Sequence, residues 1–247
     1  MHPHHRMFRR RALAASLSCS LFLAAPAFAD DAATDLDQVV VTATRTAQTQ
    51  DQALAAVTVI DRAEIERLQP ASLPDLLTGR AGISLANNGG VGKSTSVFLR
   101  GTESDHVLVL VDGVKIGSAT SGGASLQDIP PEQIERIEIV RGPFSSLYGS
   151  EALGGVIQIF TRQPQGAFAP NASAAAGSEA PQRYSAGVGG RGDRGWYAIN
   201  AAHQQTDGIN AYRGTRNFDP DEDGYRNTSL TMQGGWRFNP KWDADLR

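Results

Sequence analysis

The chain has 247 residues, with 23 basic and 26 acidic side chains, a net charge of −3 and one cysteine. A mildly acidic balance argues against binding nucleic acid, whose phosphates require clustered positive charge. This length suits one large domain or two small ones.

The first 29 residues set the expected compartment. Arg6, Arg9, Arg10 and Arg11 precede a largely apolar run over 12–25, and Pro26 is followed by the small-x-small triplet Ala27-Phe28-Ala29. That order is a secretory signal peptide, with cleavage expected after Ala29. A membrane anchor needs roughly 20 apolar residues, and this run is interrupted by Ser16, Ser18, Cys19 and Ser20. A lipoprotein would be cut before Cys19, but Ser18 matches that site poorly and apolar sequence continues past it. Removing 1–29 takes away the only cysteine and four arginines, so 19 basic side chains face 26 acidic ones, a mature charge near −7. Disulfides, thiolate metal sites and cysteine catalysis are thereby excluded.

Residues 30–52 are poor in large apolar side chains except Val39-Val40-Val41. The composition predicts a mobile arm with a strand-forming patch, which could add to the sheet edge of another protein or form the first strand of the next domain.

Residues 53–164 predict an α+β domain. Strand-like runs lie at 57–60, 83–85, 96–100, 107–111, 137–141 and 155–161. Helical signals lie between them: Asp61 with Glu64, Ser72 with Pro74 opening 73–78, and Pro131 opening 132–135. Short helices covering one sheet of this size sustain a single core.

From 165 to 247 the pattern changes to period two. Between 227 and 238 the even positions hold Thr228, Leu230, Met232, Gly234, Trp236 and Phe238, while the odd ones are polar or glycine up to Arg237. The runs 241–247 and 183–189 alternate likewise. A soluble sandwich also alternates, but its apolar face favours Val, Ile and Leu; Gly, Ala and aromatics here point to transmembrane barrel strands.

Two glycine- and acid-rich segments invite stronger readings. Gly89-Gly90-Val91-Gly92-Lys93-Ser94-Thr95 resembles a phosphate loop, yet Asn87 stands at the required first glycine and a strand pattern follows instead of a helix. Asp219, Asp221 and Asp223 before Gly224 match the opening of a calcium loop, although Leu230 holds the place of the closing glutamate. A solvated acidic loop is the competing reading. His106 and His203 have no nucleophile or second histidine patterned beside them, so no enzyme is expected.

Several motifs together resemble the TonB-dependent receptors of Gram-negative outer membranes. Asp37-Gln38-Val39-Val40-Val41-Thr42-Ala43 resembles the TonB box. Phe98-Leu99-Arg100-Gly101, Val109-Leu110-Val111-Asp112-Gly113-Val114, Ile137 to Pro143, Leu147-Tyr148-Gly149 and Gly154-Gly155-Val156-Ile157 resemble the plug signature. Within the family the chain is most similar to members that take up cobalamin, through the box spelling, the run from Arg100 into His106-Val107-Leu108-Val109-Leu110, and Asp221 and Asp223-Gly224-Tyr225 at the calcium loop. It departs from them at Asn210, where a further carboxylate is expected, and its substrate-facing loop 115–125 holds Ser118, Ser121 and Ser125 without a diagnostic residue. Ferric siderophore receptors therefore stay open.

The resemblance implies a plug domain followed by the first antiparallel strands of a truncated transmembrane β-barrel, set in outer-membrane lipid. It implies that the inner-membrane protein TonB pairs with the arm and drives uptake of a scarce ligand past the plug. It also implies that Arg100 and Arg141 pair with glutamates of the barrel wall. A barrel of this family has about 22 strands, whereas residues 165–247 hold about five, so a truncated remnant that does not transport is a further expectation.

Overall fold

In a computed structural model, the described residues are 55–118, 122–177, 182–210 and 223–247, with the backbone of Val40–Val41 (β1) and Gln48–Thr49 (β2) in addition. Contacts divide the chain into Met1–Asp37 and Gln38–Arg247, and every described residue belongs to the second unit. β1 and β2 form a short antiparallel ladder.

Two larger groups of elements follow. The first holds β3 (Ala56–Ile60), α1 (Arg62–Leu68), α2 (Leu73–Leu77), β4 (Ile83–Asn87), β5 (Thr95–Leu99), β6 (Val107–Val111), β7 (Val114–Ile116), β8 (Ile134–Arg141), α3 (Ser145–Tyr148) and β9 (Gly155–Thr161). Its main sheet runs β3-β8-β9-β6-β7, with β6 and β9 parallel and the other pairs antiparallel. β4 and β5 form a separate hairpin.

Local chemistry explains the elements. α1 starts because Asp61 accepts the Glu64 backbone N–H at 2.7 Å, and stops where Gln69 turns left-handed at φ 47°. The Ser72 N–H donates to the Asp75 carboxylate at 2.9 Å as α2 begins. β6 and β7 meet through Asp112-Gly113, both at positive φ (49° and 83°), the backbone that a two-residue hairpin turn requires.

One face of the main sheet makes the core. Ile137, Ile139, Ile157 and Ile159 pack with Ile65, Leu73, Leu76, Leu77 and Leu99, all at most 2% exposed. Each such side chain contributes about 1.5–3 kcal/mol over an exposed one.

One sequence expectation holds only in part. The helical segment expected over 132–135 is a three-residue 3-10 helix, Pro131–Gln133, which leads directly into β8. From Ile134 the chain already pairs with β9; the ladder register shifts between Ile134 and Arg136, and that bulge turns both Ile134 and Ile137 into the core.

The second group is an antiparallel sheet of five strands in chain order: β10 (Ala169–Ala176), β11 (Gln182–Arg191), β12 (Gly195–Thr206), β13 (Tyr225–Asn239) and β14 (Trp242–Leu246). It is open, with β10 and β14 at its edges. Register carries the period-two pattern across it: Tyr184, His203 and Thr228 align, as do Ala186, Ala201 and Leu230, and Val188, Ile199 and Met232. On this face Leu230, Met232, Trp236 and Phe238 are between 54% and 66% exposed. The opposite face of β13 meets the first group, leaving Gln233 8% exposed. Polar inside and apolar outside is the arrangement of a transmembrane barrel wall, and it removes the soluble-sandwich reading, in which the apolar face would be the buried one. β10 has no apolar alternation of its own and takes its place from pairing with β11.

Leu230→Arg should cost about 2–4 kcal/mol when the protein unfolds from lipid vesicles in urea, while Ser173→Arg on the inward face should cost far less. Equal costs would reverse the assignment of the two faces.

Candidate functional site

The inward face of β11 to β13 grips the α+β domain through hydrogen bonds. Gln133, at the end of its 3-10 turn, donates to Ser229 Oγ at 3.0 Å and accepts from Thr231 Oγ1 at 2.9 Å. Gln204 donates to the Ala71 carbonyl at 3.1 Å, just before α2. Arg183 pairs with Glu132 at 3.2 Å and donates to the Pro70 carbonyl. Because 229, 231 and 233 share one face of a strand, their spacing matches a row of plug acceptors and donors.

A buried node lies further along β13. The Asp112 carboxylate accepts the Thr161 N–H at 3.0 Å and the Thr161 hydroxyl at 2.5 Å. Gln233 Nε2 donates both to Asp112 Oδ2 at 3.0 Å and to Thr161 Oγ1 at 2.5 Å, and Arg247 Nη1 donates to the Asp112 carbonyl at 2.5 Å. The hairpin turn, β9, β13 and the chain just past β14 therefore converge on one residue. The sequence marked Asp112 only as part of a motif and did not single out Gln133 or Gln233; paired polar positions on separate elements leave no local signal.

Arg100 and Arg141 are brought together around Gly82, where an added Cβ would lie 3.5 Å from both side chains. Arg100 has φ 52°, and its N–H donates to the Gly82 carbonyl at 2.8 Å. Arg141 is 8% exposed and donates from Nη1 to Thr58 at 2.8 Å. Its Nε and Nη2 have no hydrogen-bond partner among the described residues. Burial, and then the charge of Arg100, lower the Arg141 pKa from an arginine's ordinary value. A buried guanidinium with two donors to spare, as in Arg141, is the kind of fork a carboxylate can take.

The other candidate residues are only partly described. In the stretch that resembles a TonB box, Val40 and Val41 pair by backbone with Thr49 and Gln48, while Asp37, Gln38, Val39, Thr42 and Ala43 lie outside the described residues. Ser118 closes a loop, its N–H donating to the Gly123 carbonyl and its carbonyl accepting from Gly122, both at 2.9 Å. Ser125 precedes the 3-10 turn Leu126–Asp128, and Ser121 lies outside the described residues. So do Asp219 and Asp221 of the acidic loop; Asp223 pairs with Lys93 at 2.9 Å. No group of three or more His, Cys, Asp or Glu among the described residues is placed to hold a metal ion.

The phosphate-like loop is instead a hairpin tip between β4 and β5. Asn87 Oδ1 accepts the N–H groups of Gly89 and Gly90 at 2.9 and 2.6 Å, and Lys93 is committed to Asp223.

Asp112→Asn should lower stability by about 1–3 kcal/mol in urea unfolding, since an amide cannot accept from all three donors that meet the carboxylate. Asparagine tolerates the left-handed backbone there, so the loss reports hydrogen bonding rather than strain. Unchanged unfolding would show the node to be energetically idle.

The family model for the TonB-dependent receptor plug domain matches residues 49–156. The vitamin B12 transporter BtuB of Photobacterium profundum is 35% identical over 239 residues, 96% of this chain and 39% of that protein. BtuB of Vibrio vulnificus is 54% identical over 125 residues, 51% of this chain and 20% of its own. Among solved structures, a double mutant of the ferric enterobactin receptor PfeA from Pseudomonas aeruginosa has a TM-score of 0.63 at 26% identity, covering 82% of this chain and 33% of that one. The chain thus spans about two fifths or less of the length of these relatives. With a plug domain docked on the polar face of strands that turn apolar residues outward, the chain carries the plug domain of the TonB-dependent receptors.

Proposed function

We propose that this chain serves energy-coupled uptake of a scarce ligand across the outer membrane, its plug gating a barrel that begins with β10 to β14. The observation that carries this reading is the docking of the plug against the inward face of β13 through Gln133 and Asp112, with an exposed apolar face behind it. A plug held by polar contacts inside a lipid-facing wall has one evident use, to close a passage until it is moved.

Cobalamin is the preferred ligand, supported by the BtuB relatives at 35% and 54% identity. A ferric siderophore is the second reading, favoured by the fold likeness to the ferric enterobactin receptor. TonB is the proposed energy source, engaging the stretch from Asp37 to Ala43 by strand addition, for which Val40 and Val41 already have extended, ladder-forming backbone. Export rests on the proposed signal peptide, residues 1–29. Arg100 and Arg141 fit a carboxylate reaching them from the barrel wall of a longer chain. Calcium at Asp219, Asp221 and Asp223 is part of the proposal and rests on the sequence pattern.

Titrating a receptor of the relatives' full length that carries these residues, with cobalamin and with ferric siderophores, tests the ligand. Saturable binding of cobalamin is expected, and its absence removes that choice. Val40→Pro should abolish uptake and leave ligand binding intact, because proline removes a ladder donor. Normal uptake by that variant would refute the role of the arm.

A further inference from the structure

Two plug segments meet one side chain of the wall. Short turns of a barrel lie on its periplasmic side and long connections on its outer side. Here 192–194 and 240–241 are short, whereas 207–224 joins β12 to β13. The outer end of β13 is therefore Tyr225, where ligand arrives under the uptake reading.

Tyr225 touches both plug segments at that level. Its ring lies against Gly92 in the tip of the β4–β5 hairpin, so closely that an added Cβ would overlap the ring. Its hydroxyl lies 3.3 Å from the Gln127 carbonyl and 3.3 Å from Asp128 Oδ1, in the Leu126–Asp128 turn. Asn227, next on the same face, donates to that hydroxyl at 2.9 Å and to the Asp128 carbonyl at 3.0 Å.

Both segments are rooted in the plug and reach the wall at Tyr225. The tip carries Gly89, Gly90 and Gly92, all at positive φ, with little side chain to pack. Asn87 secures its inner turn, and the Lys93–Asp223 pair is about one-third exposed, where water weakens it. The other segment is rooted on both sides, by fully buried Leu126 and by Ile129 packed against the core, while Gln127 and Asp128 between them meet Tyr225 and Asn227. A tyrosine suits this place because a rigid apolar ring packs on glycine while its polar tip reaches backbone oxygen.

We infer that Tyr225 is a positioning residue for ligand capture, a wall side chain that sets the spacing between the β4–β5 tip and the Leu126–Asp128 turn. The inference rests on the uptake reading for its ligand-side meaning, and on geometry alone for the spacing. It makes the wall, and not only the plug, a determinant of which ligand the plug surface fits.

The test uses a full-length receptor carrying these residues. Residues 30–247 hold no cysteine, so Asn88→Cys and Ser125→Cys, in a receptor cleared of any other cysteine, take spin labels beside the two segments, and Tyr225 is changed to Phe and to Ala. Tyr225→Ala should broaden the label-to-label distance distribution and, in unlabelled protein, weaken cobalamin binding about tenfold. Tyr225→Phe keeps the ring and should weaken it about threefold. Leu230→Ala, on the outward face, should change neither. An unchanged distance distribution in Tyr225→Ala overturns the inference, and a broadened one with unchanged affinity overturns its link to capture. If the parent receptor binds neither cobalamin nor a ferric siderophore, the uptake reading fails, while the distances still decide the positioning role.

Discussion

The strict alternation of side chains along β13 is the constraint on which the rest of this structure depends. Every second residue faces the plug, and a register slip of one would exchange the polar set for the apolar one. Asn227, Ser229, Thr231 and Gln233 each find a plug partner because they share one face. Leu230, Met232, Trp236 and Phe238 point outward for the same reason. The strand thus specifies both surfaces at once, a lipid-compatible exterior and a docking surface for the plug.

Two kinds of cohesion hold the molecule. The plug is internally held by apolar burial around Ile137, Ile139, Ile157 and Ile159, which water cannot replace. Its attachment to the wall is made mostly of hydrogen bonds and the Arg183–Glu132 and Lys93–Asp223 ion pairs, each of modest net strength because water competes for the same groups. A domain built this way remains itself when its outer contacts are exchanged for water. The Arg100 and Arg141 side chains meet around Gly82, with Arg141 still holding donors to spare.

Much of this was legible in the sequence. The strands at 107–111 and 155–161 were found with their bounds because continuous β-branched runs mark buried strands. The alternation at 227–238 foretold an outward apolar face because the side-chain period of a strand needs no tertiary information. The helix expected over 132–135 stops after Gln133 because an opening proline marks where a turn begins and not how long it runs, and β7 and β10 escaped because one is three residues long and the other nearly all alanine, serine and asparagine. Of the candidate site, Arg100 and Arg141 were named from motif position, but their convergence on Gly82 was not readable.

The amino-acid sequence by itself determined the class of each segment: a plug with its own apolar core, strands with one face for lipid, and motifs ordered as in the receptor family. Those are local properties, carried by periodicity, turn residues and short motifs. Only the tertiary structure decided which polar residues meet: Asp112 with Gln233, Gln133 with Ser229 and Thr231, Tyr225 with Gly92 and the Leu126–Asp128 turn. A hydrogen bond between residues about a hundred positions apart leaves no mark on either neighbourhood, since it depends on two folded surfaces coming together.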